Sequence, residues 1–118
     1  MKNITPESTI SVLDNSTRLR CVLLLLAHKE LCVCDLTHVI GGAQPNMSRA
    51  LGQLREAGLV SDRREGQWVY YQINTELADW VYSLIKTVAI GAEEHEPYRS
   101  DKQALAAMSC KLSGNRCA

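Results

Sequence analysis

GGAQPNMSRALGQLREAGLV, residues 41–60, runs directly into SDRREGQWVYYQIN, residues 61–74, and the change of period between them decides the fold. In the first stretch Pro45 suits the opening turn of a helix, and Met47, Ala50, Leu51 and Leu54 recur at helical spacing. Gly58 suits the left-handed residue that ends such a helix. From Leu59 the period becomes that of a strand. Leu59–Arg64 and Gln67–Ile73 read as two strands joined at Glu65-Gly66, with Trp68, Tyr70 and Gln72 pointing one way and Val69, Tyr71 and Ile73 the other.

Working outward toward the N-terminus, Gly41-Gly42 separates this helix from a preceding one that carries Leu36, Val39 and Ile40 on one face. Before that, Asn15 and Ser16 can cap a helix whose Leu19, Val22, Leu23 and Leu26 follow the amphipathic pattern. Thr5-Pro6-Glu7 opens a short first helix. Toward the C-terminus, Asn74 or Thr75 is positioned to cap a long helix bearing Leu77, Trp80, Val81, Leu84, Ile85 and Val88. Ser100-x-x-Gln103 reads as a capping box before Leu105, Met108 and Leu112.

The order is α-α-α-α-β-β-α: mainly helical, with a β-hairpin wing. Two short helices across a glycine turn, followed by a hairpin, make a winged helix-turn-helix. Residues 1–96 are expected to form a winged helix-turn-helix domain for DNA binding and dimerisation. Residues 97–118 form a C-terminal tail with a short helix and two cysteines, Cys110 and Cys117.

Composition narrows the function. In 118 residues, 13 Lys+Arg balance 13 Asp+Glu, which excludes a diffuse polycation but not a basic face. The longest apolar run, Cys21–Ala27, is far short of the ~20 residues that span a bilayer. The opening MKNITPESTI is polar and carries Pro6, unlike a secretory signal, so a cytoplasmic protein is expected. The 5 cysteines are an odd number without a regular framework, which points to reduced thiols. So small a chain also favours self-association.

If Met47, Ala50, Leu51 and Leu54 are buried, the same helix presents Gln44, Asn46, Ser48, Arg49 and Gln53 outward. These side chains suit base edges: Gln and Asn pair with adenine, Arg with guanine, and Ser adapts to either. Arg63 and Arg64, beside the hairpin turn, can reach phosphates or the adjoining minor groove.

Cys32-Val33-Cys34 is the most informative short motif. Two side chains two apart in a regular helix point to nearly opposite faces. At a helix start the geometry is looser, with Cys32 at the cap and Cys34 in the first turn. The unpaired amides there favour thiolates, which select soft ions. Cys21, inside the leucine-rich helix, reads as a buried filler.

At this point the sequence resembles the ArsR/SmtB family of metal-responsive bacterial repressors. The matching stretches are Asn15–Arg20, Glu30–Leu36, Gln44–Leu51, Leu54–Val60 and Arg63–Tyr71, in the family's order. Ala43 stands where the family commonly has a capping Ser, and Ala50 where it often has His. The resemblance implies a homodimeric repressor whose first and last helices form the interface, and Trp80, Leu84 and Val88 lie along one stripe that could serve it. It implies release from double-stranded operator DNA when a metal or metalloid binds, with trivalent arsenic or antimony as inducer and no structural cofactor.

In the arsenic-sensing members this segment reads Cys-Val-Cys-Asp-Leu-Cys and offers three thiolates to As(III) or Sb(III). Here Thr37 stands at the third place. Cys110 or Cys117 could supply the third ligand, a methylated arsenical would need only two, or a solvent ligand could complete the site. Cadmium/lead sensors use cysteines near the N-terminus, absent before Cys21; zinc and nickel sensors use ligands on the last helix, where only Asp79 and His95 match. Glu93, Glu94, His95 and Glu96 read as a solvated charge run, and His28 and His38 as surface or boundary groups.

Three other classes compete. A redox-responsive repressor would use a cysteine disulfide, and because cysteines two apart make a strained ring, Cys32–Cys110 or an intersubunit bond would be needed. A thiol enzyme would need a Cys-x-x-Cys or phosphate-cradling loop, and neither occurs. A winged helix devoted to protein interaction would leave Arg49 without a role in DNA binding.

Overall fold

The computed structural model describes residues 4–112. Thr5 and Asn15 open the first two helices, α1 (Pro6–Leu13) and α2 (Ser16–Ala27). Thr5 Oγ1 accepts from the Ser8 N–H and Asn15 Oδ1 from the Arg18 N–H, each at 3.0 Å, so each cap satisfies a first-turn donor. The chain continues through β1 (Leu31–Cys32), α3 (Val33–Ile40), α4 (Gln44–Glu56), β2 (Val60–Glu65), β3 (Trp68–Ile73), α5 (Asp79–Ala92) and α6 (Tyr98–Leu112).

The core forms around α2, whose Cys21, Val22, Leu24 and Leu25 are buried. Leu36 of α3, Met47, Leu51 and Leu54 of α4, Tyr71 of β3, and Val81 and Ile85 of α5 close over it. Between α3 and α4 the backbone turns at Gly41 and Gly42, with φ of 91° and 87°. Those left-handed values cost a side-chain-bearing residue energy, so the glycine pair sets the angle between the two helices.

The sheet has three strands in the order β1-β3-β2, all antiparallel. The short β1 has no counterpart in the sequence reading. Two residues cannot display an alternation, so only tertiary pairing defines it. Within the hairpin, Val60 pairs with Ile73 at the core end and Glu65 with Trp68 at the tip. The loop is therefore Gly66-Gln67, one residue later than Glu65-Gly66, because the core-facing pair fixes the register and the tip follows by counting outward.

α5 also begins later than Asn74 or Thr75. The Asn74 side chain is spent elsewhere: its Oδ1 accepts from the Glu76 N–H at 3.0 Å and its Nδ2 donates to the Gly58 carbonyl at 2.9 Å. The result is a turn that ties the end of β3 to the end of α4, and Leu77 packs on the core from that turn. Val81, Ile85 and Ala92 take the inner face of α5. Of the expected stripe, Trp80 is exposed and Leu84 and Val88 are half-buried, so it does not spend itself on the core. With Ile10 of α1 at 63% and Ile90 of α5 at 69% exposure, these two helices carry an uncovered apolar surface.

Ser100 is not the cap of α6. The helix starts at Tyr98, and the Ser100 N–H is taken by Glu96 Oε1 at 3.1 Å. α6 packs on α2 and α3, and Leu105 enters the core. Arg20 of α2 clamps it with a two-pronged pair to Asp101, both N–O distances 2.8 Å, and Asp101 is only 4% exposed. Removing one partner of so buried a pair leaves the other charge uncompensated. Asp101→Ala is expected to lower unfolding free energy by about 2–4 kcal/mol, measured by urea denaturation. A change under about 0.5 kcal/mol would mean that water already solvates the pair.

Candidate functional site

α4 buries Met47, Ala50, Leu51 and Leu54 and leaves Gln44, Asn46, Ser48, Arg49 and Gln53 exposed, as the helical period requires. Ala43 occupies the N-cap without a side-chain acceptor, so first-turn N–H groups lack that partner at the end of the helix that bears Gln44 and Asn46. Arg49 Nη1 donates to Asn46 Oδ1 at 3.2 Å, pre-aligning two of the outward side chains. Gln53 is engaged from α2: Arg18 Nη1 donates to its Oε1 at 2.8 Å, while Arg18 Nε holds the Val12 carbonyl at 2.7 Å.

Arg63 and Arg64 are both exposed on β2 near the hairpin tip. Arg63 is held in place. Its Nε and Nη2 donate to the two carboxylate oxygens of Glu30 at 2.7 and 2.8 Å, and its Nη1 donates to Glu65 at 2.7 Å. The guanidinium carbon lies 4.7 Å from the centre of the Tyr70 ring, a cation–π distance. The Glu30 bond first, then that to Glu65, pushes the guanidinium pKa further up. Arg55 of α4 pairs with Asp62 of β2 at 2.8 Å and joins the helix end to the wing. Sequence reasoning missed Glu30, Tyr70 and Arg18, because each acts across a long chain separation that no local pattern encodes.

The thiol pair sits where the sheet becomes a helix. Cys32 ends β1 and is the N-cap of α3; Cys34 lies in the first turn. Their Sγ atoms are 3.0 Å apart. Cys32 is 1% exposed and Cys34 half-buried, so approach is from the Cys34 side. The Asp35 carboxylate accepts from the Cys32 N–H at 3.0 Å and locks the turn that brings the sulfurs together. Ligand atoms of Cys32, Cys34 and Asp35 all lie within 4.8 Å of one another. Thr37 Oγ1 instead donates back to the Val33 carbonyl at 2.8 Å, so its hydroxyl serves its own helix.

The other cysteines divide as follows. Cys21 is fully buried, with its Sγ 3.4 Å from Met47 Sδ, and burial pushes its pKa up to about 12. It is a core filler. Cys110 falls within the backbone of α6, but its side chain, like all of Cys117, lies outside the described residues. Glu93, Glu94, His95, Glu96 and His38 are exposed, and His28 is half-buried. No helix of the described residues is long and apolar enough to cross a membrane.

A helix with a polar outward face, set by a glycine turn against its neighbour and followed by a paired wing, defines a winged helix-turn-helix DNA-binding regulator. Residues 15–62 match the model of the bacterial regulatory protein arsR family. The chain is 46% identical over 91 residues to the arsenic resistance transcriptional regulator ArsR1 of Pseudomonas putida, covering 77% of this chain and 71% of that protein. It is 34% identical over 117 residues to the arsenical resistance operon repressor of Escherichia coli, covering 99% and 92% of the two chains. Among solved structures it is similar to the AntR antimony-specific transcriptional repressor, with a TM-score of 0.63 at 26% identity over 81% of this chain and 89% of that one. The chain belongs to the arsR family; it is a transcriptional regulator, not an enzyme.

Because the Cys21 thiol stays protonated until pH approaches about 12, it should resist alkylation in the folded protein. Iodoacetamide labelling at pH 8 followed by peptide mass spectrometry should leave Cys21 unmodified until denaturant is added. Labelling of Cys21 in the native protein would show that the core around α2 opens readily.

Proposed function

We propose that this chain is a metalloid-responsive transcriptional repressor that binds operator DNA as a dimer and leaves it when trivalent arsenic or antimony binds Cys32 and Cys34. The observation that carries this reading is the 3.0 Å approach of the two sulfurs at the N-terminus of α3. A soft ion with bonds of about 2.3 Å to each thiolate holds its sulfurs less than 4 Å apart, so the pair needs little rearrangement to chelate. With arsenous acid, two S–As bonds form and two As–OH bonds break, each hydroxide leaving as water with one thiol proton. The third valence keeps a hydroxide, carries a methyl group in a methylarsenical, or takes a third thiolate. Cys110 and Cys117 are the candidates for that thiolate. The names of the P. putida and E. coli relatives support an arsenical, and that of AntR supports antimony.

In the DNA complex, Gln44, Asn46, Ser48 and Arg49 are assigned to the major groove, with Gln53 toward its edge. Arg63 and Arg64 are assigned to the backbone and minor groove beside it. The overall charge is zero, so the affinity must come from this one face, doubled by two-fold pairing. The uncovered surface of Ile10, Trp80 and Ile90 on α1 and α5 is the proposed dimer interface. Chelation sets the two sulfurs at the separation the ion imposes and so shifts the first turn of α3, which alters the α3–α4 angle and spoils the spacing of the two recognition helices.

Two measurements test the reading. A duplex selected by the full chain from a random library should be released by arsenite from the wild type, but not from Cys32→Ser/Cys34→Ser. Release from the double variant would remove the thiol pair from the mechanism. Release by peroxide alone, without arsenite, would favour a disulfide switch. Separately, Ile90→Glu should sediment as a monomer and lose at least about 1.4 kcal/mol, or tenfold, in affinity for that duplex. Unchanged sedimentation would move the interface elsewhere.

A further inference from the structure

The three strands align one residue from each in a single rung. Cys32 of β1 pairs with Tyr70 of β3, and Tyr70 pairs with Arg63 of β2. Residues directly opposite in an antiparallel sheet project from the same face, so this rung runs from one sensing thiol to a wing cation. It is reinforced outside the backbone. Glu30, two residues before Cys32, grips Arg63 with both carboxylate oxygens at 2.7 and 2.8 Å, and the guanidinium rests 4.7 Å from the Tyr70 ring centre. The Glu30 side chain is 20% and the Arg63 side chain 47% exposed, so this is a surface pair held by its two-pronged geometry and the ring contact rather than by burial.

Cys32 therefore cannot move alone. Its N–H is held by Asp35 of α3, and its strand partner is Tyr70 of the wing. A shift of the α3 N-terminus displaces β1, carries Glu30 with it, and re-aims the guanidinium that Glu30 holds. We propose that Glu30 and Tyr70 are positioning residues that transmit ligand capture at the thiol pair to Arg63 on the wing, so that the wing, as well as the recognition helix, changes its hold on DNA. The inference rests on the thiol-pair reading given under the proposed function. It adds a route from that site to DNA.

The quantity to measure is the coupling factor, the ratio of duplex dissociation constants with and without saturating arsenite. Factors of about 5–150 are usual for such linkage. Three variants of the full chain are compared with wild type: Glu30→Gln, Arg63→Gln and the double variant. Binding of arsenite without DNA is followed by isothermal titration, and folding by circular dichroism. Glu30→Gln should reduce the coupling factor at least about threefold while leaving arsenite affinity without DNA unchanged. The double variant should lose no more coupling than Arg63→Gln alone, since both substitutions cut the same link.

Wild-type coupling in folded Glu30→Gln, or losses that multiply in the double variant, would overturn the proposal. So would a loss of arsenite affinity in Glu30→Gln, which would make Glu30 part of the thiol site and not its link to the wing. If wild type itself shows no response to arsenite, the thiol-pair reading fails first. If wild type responds and Cys32→Ser/Cys34→Ser does not, a fully coupled Glu30→Gln sinks the link alone.

Discussion

Cys32 belongs to two elements at once, and the architecture depends on that double membership. It is the last residue of β1, paired with Tyr70, and the N-cap of α3, with its N–H on Asp35. A helix that starts at a sheet edge has its first turn fixed in position by the ladder, and α3 in turn sets where the glycine pair throws α4. The polar face of α4 is directed outward only because Met47, Leu51 and Leu54 are committed to the α2 core. One short strand thus fixes the frame in which both the thiol pair and the outward polar side chains of α4 are held.

The electrostatics follow from local pairing rather than from total charge. Arg20, Arg55 and Arg63 each have a carboxylate partner, on Asp101, Asp62 and Glu30 respectively. These cations serve to join elements: α6 to α2, the wing to α4, and the wing to the approach of β1. These pairs consume cations along with acids, so they leave the neutral sum unchanged and fix only where the charges sit. Arg49 and Arg64 remain exposed on the outward side.

Much of this was legible in the sequence, where a side chain or a period acts locally. The α4 spacing of Met47, Ala50, Leu51 and Leu54 identified both its buried and its outward faces, and Thr5 and Asn15 cap the helices they precede. Cys32 and Cys34 could be placed at a helix start, and the N-cap position of Cys32 follows that expectation. What escaped depends on partners distant in the chain. β1 is too short to have a pattern. Asn74 looks like a helix cap but closes a turn on Gly58, which delays α5 to Asp79. Glu96, not Ser100, supplies the acceptor at the start of α6. The Glu30–Arg63 pair spans a separation that no motif signals, although both residues fall inside stretches singled out for other reasons.

The clamp between Arg20 and Asp101 has a practical consequence. Since it and Leu105 tie α6 to α2, the outer surface of α6 moves as one body with the half of the molecule that holds the thiols. Lys102 is exposed there, and Gln67 is exposed at the tip of the wing. A donor fluorophore at one and an acceptor at the other would form a ruler across the molecule, with neither label on α4. α6 thus gives the scaffold a handle from which the position of the wing can be measured.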